Sequence, residues 1–250
     1  MRAVVLGASS GLGRCIAIGL AKRGAQVALM ARRVDKLTDA AKEAGPGTLV
    51  FGCDVTDAEQ CRSAIDEAAA GLGGIDAFVY TPGIGPLSPI EALDVETWRS
   101  AFDTNVIGAS IATAAALPHL KASSGSAIFL SSVSASQMPP WPGLGAYAVS
   151  KAALDKLVEA WNGEHGDVGF TRVVVGDCAG GEGDGQTQFT AGWDPELAGR
   201  FGLEWFNRKY IAGSLMEVEE LVNVVHTIAT LGASARVPSV VVAPRPPVSA

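Results

Sequence analysis

The sequence contains no basic run. Charged residues make up only 18% of its 250 positions, and the net charge is −7. A chain so built lacks the electrostatic footprint of a nucleic-acid binder, so any anionic ligand has to be held locally. Long apolar runs are missing as well. The longest weakly polar stretch, 106–118, is short and built of small residues, and the opening AVVLG is too brief for a signal peptide. The expectation is a cytoplasmic protein with no membrane partner. Cysteine is sparse: Cys15, Cys53, Cys61 and Cys178 show no metal-like pairing. They read as packing thiols in a reducing compartment, with no metal site. No repeat and no linker divides the chain, which suits one domain over 1–250.

Hydrophobic residues reach 48%, and thirty glycines are spread along the chain. That composition fits a sheet covered on both faces with tight turns between strands and helices. Short β-branched runs at 3–7, 26–31, 48–53, 75–80, 127–131, 171–176 and 237–243 alternate with longer segments. Alternation of this kind means βαβ units and a parallel sheet of about seven strands. Thr56-Asp57-Ala58-Glu59 and Ser214-Leu215-Met216-Glu217 read as capping boxes that open helices. In the helix after the second, Val218, Leu221, Val222, Val225, Ile228 and Ala229 fall on one face. The segment 178–213 breaks the rhythm, glycine-rich at first and then aromatic with Phe189, Trp193, Phe201, Trp205, Phe206 and Tyr210. An insertion of that length reads as a lid or binding loop.

The first strand runs into GASSGLG, Gly7-Ala8-Ser9-Ser10-Gly11-Leu12-Gly13, and then into a helix. Glycines at such a turn let backbone approach a pyrophosphate, which the helix end then binds through N–H groups and dipole. The second strand ends in Ala31-Arg32-Arg33, with no acid to accept from a ribose hydroxyl. Two arginines there suit a 2′-phosphate, so NADP is expected rather than NAD. Asp54-Val55, closing the third strand, stands where the adenine edge would lie.

Tyr147 and Lys151 sit one helical turn apart, a spacing that shares a face. A positive charge roughly 4 Å from a phenol is worth on the order of 4 kcal/mol. That would bring a group titrating near about 10 toward neutrality, as a general acid or base. Upstream, Ser132 and Ser134 would point to the same side of an extended chain, about 7 Å apart, with Ser131 pointing away.

GASSGLG, Asp54-Val55, Asn105 in FDTNVIG, Ser131-Ser132 at a strand end and the Tyr147-Ala-Val-Ser-Lys151 run occur in the order of the short-chain dehydrogenase/reductases. The resemblance covers essentially the whole chain. It implies a single Rossmann-like, doubly wound α/β domain with helices on both faces, assembled as a homodimer or homotetramer. It also implies hydride transfer between a nicotinamide and a carbonyl or alcohol. Tyr147 then resembles the proton donor, Lys151 the residue that lowers its pKa and holds the ribose, and Asn105 the anchor of a proton-relay water. Ser132 is the candidate for binding the substrate oxygen, with Ser134 as the alternative. Gly7, Ser9, Ser10, Gly11, Leu12, Gly13, Arg32, Arg33, Asp54, Val55, Thr81, Gly83, Asn105, Tyr147, Lys151, Ala179 and Gly180 are the expected cofactor contacts. The chain departs from the family pattern with Leu6 before the glycine turn, with Thr81-Pro82-Gly83 for Asn-Ala-Gly, and with Ala179-Gly180 for Pro-Gly. The aromatics of the insertion, with Met138 and Trp141, point to a bulky apolar substrate. The alternative reading is an NADP-binding sensor of the same fold without turnover.

Overall fold

The computed structural model describes residues 1–181, 186–211 and 213–245. Seven parallel strands form one sheet: β1 (Arg2–Leu6), β2 (Gln26–Ala31), β3 (Leu49–Gly52), β4 (Ala77–Tyr80), β5 (Ser126–Ser132), β6 (Gly169–Val175) and β7 (Ser239–Val242), in the order β3-β2-β1-β4-β5-β6-β7. Every expected strand is present, and β2 has the expected bounds. Residues alternate between the two faces, as the pleat requires. Val4, Leu6, Phe78, Tyr80 and Phe129 pack under α3 (Ala58–Leu72), α5 (Gly108–Ser123) and α7 (Gly145–Glu164). Ala3, Val5, Val79, Ile128 and Leu130 pack under α1 (Gly11–Lys22), α2 (Val34–Ala44) and α9 (Val218–Ala229). The strand order reverses between β1 and β4, which opens a crevice at their carboxyl ends.

Two helix starts differ from the sequence reading. Asp57, not Thr56, caps α3, its carboxylate accepting from the Glu59 and Gln60 N–H groups, while Thr56 turns back to Asp54. Glu217 is itself the N-cap of α9, and Ser214 instead donates to the Arg245 carbonyl at 3.1 Å. The loop over the carboxyl end of the sheet is held from there, so its serine does not reach the helix.

The expected insertion is not one loop. It contains α8 (Pro195–Asn207), opened by Asp194, whose side chain accepts from Leu197 N at 2.9 Å. Phe201 and Trp205 are buried with Leu87 and Leu144 in a small cluster apart from the main core. Residues 182–185 and 212 of this insertion lie outside the described residues. Among the described residues no helix is long and apolar enough to cross a membrane.

Candidate active site

One cleft of about 610 Å³ runs along the crevice from the β1–α1 turn to the α8 cluster. Its phosphate end is built on backbone geometry. Gly7 has φ +79 and Gly11 φ +57, left-handed values that a side chain would strain. A Cβ on Gly13 would collide with the Gly7 carbonyl and with the Thr81 hydroxyl, which donates to the Leu6 carbonyl at 2.6 Å. Thr81 therefore braces the glycine turn from β4, a task the sequence reading did not give it. Ser10 is the N-cap of α1 but makes no side-chain cap, and the first turn holds no acid. Instead the Arg33 Nη2 group donates to Ser9 Oγ at 3.0 Å and to Ser10 Oγ at 2.8 Å. A guanidinium, two hydroxyls and a helix N-terminus thus converge, a donor set suited to phosphate. Arg32 faces Asp54 instead: burial raises the Asp54 pKa, but hydrogen bonds from Thr56 and the charge of Arg32 outweigh it and hold the carboxyl below its usual range. Asp54 and Val55 line the cleft beside both arginines.

The other end carries the tyrosine and lysine. Tyr147 sits on the first turn of α7, and the Lys151 Nζ lies 5.9 Å from its ring centroid. Lys151 is 3% exposed and donates to the Leu130 carbonyl at 2.8 Å. A Cβ on Gly83 would stand 3.2 Å from Lys151 Nζ, so the glycine leaves that ammonium its room. Burial pushes the Tyr147 phenol up to about 12, against a hydrogen bond with Ser132 that pulls it down. Burial also pulls Lys151 down to about 8, with Asp155 opposing. The expected lowering of the phenol by Lys151 is therefore absent from the free protein. The ammonium is aimed instead at a carbonyl of β5, and burial governs the phenol.

The two serines also differ from expectation. The strand ends at Ser132, which caps the short α6 (Val133–Ser136), so Ser134 folds back and the hydroxyls lie 3.0 Å apart. Both line the cleft. The Ser131 hydroxyl is buried with no partner among the described residues.

Two expected cofactor contacts are not cleft walls. Asn105 is fully buried and its amide is committed: Oδ1 accepts from Ile84 N at 2.9 Å, and Nδ2 donates to Ile84 O at 2.9 Å and to Ser150 Oγ at 2.8 Å. It clamps the segment after β4 to α7 from a π-helical turn (Asp103–Ile107), and its neighbour Thr104 lines the cleft instead. Ala179 gives its N–H to the Met216 carbonyl at 3.0 Å and faces away, while Cys178 and Gly180 line the cleft. The other expected contacts, Gly7, Ser9, Ser10, Gly11, Leu12, Gly13, Arg32, Arg33, Asp54, Val55, Thr81, Gly83, Tyr147, Lys151 and Gly180, all border it. Thr187 was missed: its side chain lies against both Gly11 and Gly180. A hydroxyl ending a glycine-rich run was the available signal.

Phe189 stands edge-on to Tyr147, ring centroids 4.9 Å apart, and Trp193 packs on Phe189 at 5.5 Å. The Trp193 Nε1 group donates to the Gly85 carbonyl at 2.7 Å, tying the insertion to the loop after β4. Phe189, Trp141 and Leu144 wall the cleft beside the tyrosine, and Trp193 backs Phe189 from within the small cluster.

The fold and cleft define a dinucleotide-binding α/β protein, and comparison with known proteins gives the family. A family model described as short chain dehydrogenase matches residues 1–190. An 11-beta-hydroxysteroid dehydrogenase A of Sesamum indicum is 38% identical over 179 residues, 69% of this chain and 51% of that protein. An uncharacterized oxidoreductase of Listeria monocytogenes is 36% identical over 160 residues, 62% of this chain and 64% of the relative. An alcohol dehydrogenase from the archaeon Thermococcus sibiricus, complexed with 5-hydroxy-NADP, superposes with a TM-score of 0.80 at 26% identity, covering 96% of this chain and 95% of that one. A short-chain type dehydrogenase/reductase from Mycobacterium marinum gives 0.81 at 27%, covering 97% and 93%. This chain belongs to the short-chain dehydrogenase family. It spans about half the length of the sesame relative.

Proposed function

We propose that the protein is an NADP-dependent oxidoreductase that interconverts a bulky apolar ketone or aldehyde and its alcohol. The observation that carries this reading is the continuity of the cleft, which joins the Arg33–Ser9–Ser10 cluster to Ser132, Tyr147 and Lys151. When bound, the dinucleotide supplies or accepts the hydride. The rest falls to this chain's residues. Arg33 with the two serines matches a 2′-phosphate, and the glycine turn leaves room for a pyrophosphate. Tyr147 holds the proton that a carbonyl oxygen takes up, and Ser132 donates a hydrogen bond to that oxygen. With cofactor and substrate in place, Lys151 supplies positive charge against the negative charge that the phenol oxygen takes on as it gives up the proton. Asn105 acts through the segment after β4, which it fixes against α7. The aromatic wall of Phe189 and Trp141, and the sesame relative's name, support a large apolar substrate. Exposed Val95, Ile107 and Val149 support a homodimer or homotetramer, the absence of a basic run supports an enzyme free of nucleic acid, and a cytoplasmic location belongs to the same proposal.

The edge-on Phe189 favours a second reading, a sensor that binds NADP without turnover, because it stands where a substrate would approach Tyr147. One assay separates the two: NADPH consumption with 2-acetylnaphthalene, a ketosteroid and dihydroxyacetone. Turnover of either apolar ketone above the small polar one is the expected result. Tight NADPH binding with no turnover across a wider carbonyl panel would favour the sensor.

A further inference from the structure

Tyr147, Lys151, Asp155 and Glu159 follow at four-residue intervals along α7 and form one stripe. The first two belong to the site already described. Asp155 is 3% exposed, as buried as Lys151. Neither of its carboxylate oxygens hydrogen-bonds to another described residue. The Arg172 Nη1 group, reaching across from β6, is 3.6 Å from Asp155 Oδ2 and 3.0 Å from Glu159 Oε1, and Arg172 Nε donates to Ser239 Oγ at 3.0 Å. A buried carboxylate with so little hydrogen bonding is costly unless charge compensates it. Here a cation brackets it on each side, Lys151 one turn back along α7 and Arg172 from β6.

We propose that Asp155 is a positioning residue for the proton transfer: its negative charge supports the Lys151 ammonium from behind, and Arg172 sets how much of that charge Lys151 feels. The inference rests on the reading above, in which Tyr147 and Lys151 handle the proton. Around Lys151, β5 contributes only the Leu130 carbonyl and neutral serines, and β6 contributes Arg172. The helix α4 (Val95–Phe102) and the π-helical turn carry Glu96, Arg99 and Asp103, the first two exposed. Asp155 is the charge that opposes the burial of the lysine. Arg172 meets the stripe at Asp155 and Glu159.

The test is the titration of Lys151 in the full chain, followed by NMR of ¹³C-labelled lysine and assigned with Lys151→Met, beside the pH profile of 2-acetylnaphthalene reduction. Asp155→Asn should move both midpoints down by about one pH unit, the scale of one nearby charge in a partly screened interior. At pH 8 the rate relative to its plateau would then fall about five-fold. Asp155→Glu should restore the wild-type midpoint. Arg172→Met should move it the other way, upward, because the carboxylates lose their outer cation, and general damage would not reverse the sign. Unmoved midpoints in folded Asp155→Asn, checked by circular dichroism, would overturn the proposal. If that variant does not fold, Arg172→Met decides alone: an upward shift supports the role and none overturns it. Tyr147→Phe separates the two levels. An inactive Tyr147→Phe with an unmoved Asp155→Asn removes only the role of Asp155, whereas an active Tyr147→Phe removes the catalytic reading and this inference with it.

Discussion

The Lys151 ammonium lies beneath the Tyr147 ring, 5.9 Å from its centroid, and points past it to the Leu130 carbonyl. The pair is therefore assembled with a protonated phenol beside an ammonium, the states that reduction uses. In the free protein the phenol is held neutral, and the lysine is the first of the two to change charge on the alkaline side.

The pH dependence follows. With the phenol pushed up to about 12, Tyr147 keeps its proton through the working range, while Lys151 loses its charge near about 8. For reduction, kcat/KM should be level at lower pH and fall as pH rises through about 8, since that parameter reports the free enzyme. Tyr147→Phe should lower the plateau by about 10²- to 10⁴-fold with NADPH binding retained. A fall that begins only near the phenol's own value would assign the limb to Tyr147 instead.

Cofactor choice should rest on Arg33 more than on Arg32. Arg33 already reaches Ser9 and Ser10, whereas Arg32 acts on Asp54. Arg33→Asp should weaken NADPH by roughly 1.5 to 3 kcal/mol, with NADH little changed. Arg32→Asp should have the smaller effect on NADPH. Fluorescence titration with both nucleotides reads the difference.

The serines should rank in the order of their contact with the phenol. Ser132 is the hydroxyl that acts on the Tyr147 phenol, and the Ser134 hydroxyl lies 3.0 Å from that of Ser132. Ser132→Ala should cut the reduction rate with nucleotide still bound, and Ser134→Ala should cut it less. The opposite order in steady-state kinetics would make Ser134 the substrate contact.

Lys151 should weaken the fold at neutral pH. Its folded pKa, about 8, lies below the ordinary 10.5, so the unfolded chain binds more protons between these values and stability climbs with pH across that window. Lys151→Met removes the buried charge at the cost of leaving the Leu130 carbonyl unpaired. Thermal melts should show the variant more stable at pH 7 by on the order of 2 kcal/mol. That advantage should shrink as pH rises from about 8 toward 10.5.

The insertion should behave as a lid. If substrate binding orders it, limited proteolysis within 186–211 should slow when NADPH and a substrate analogue are both bound. Trp193→Phe, which removes the bond to the Gly85 carbonyl, should speed that cleavage and raise KM. Equal cleavage of free and ternary forms would count against closure.

Much of the fold was legible because its signals are local. The run of β2 lies between Gly24 and the two arginines, and its bounds could be read directly. The face of α9 was legible from its period, with Leu221, Val222, Val225, Ile228 and Ala229 all buried. The helix α8 was also written in the chain, as Asp194-Pro195 followed by Leu197, Phe201 and Trp205 at four-residue intervals, but the glycines ahead of it drew attention to a loop. What stayed hidden depends on distant partners. The π-helical turn is pinned by Tyr80, whose hydroxyl donates to the Thr104 carbonyl at 2.5 Å, and the commitment of Asn105 requires Ile84 and Ser150. Likewise the acidity of Tyr147 is set by burial, which spacing along a helix does not reveal.

The brace between Thr81 and the glycine turn has a kinetic side. Gly7 and Gly13 are close to the start of the chain, yet the hydroxyl that packs against them arrives only when β4 has paired with β1. A chain that has formed β1, α1 and β2 alone carries the phosphate fingerprint without the wall behind it. A nucleotide that needs this wall would bind only after the parallel pairings are made, and would then lengthen the life of the native state without hastening its formation.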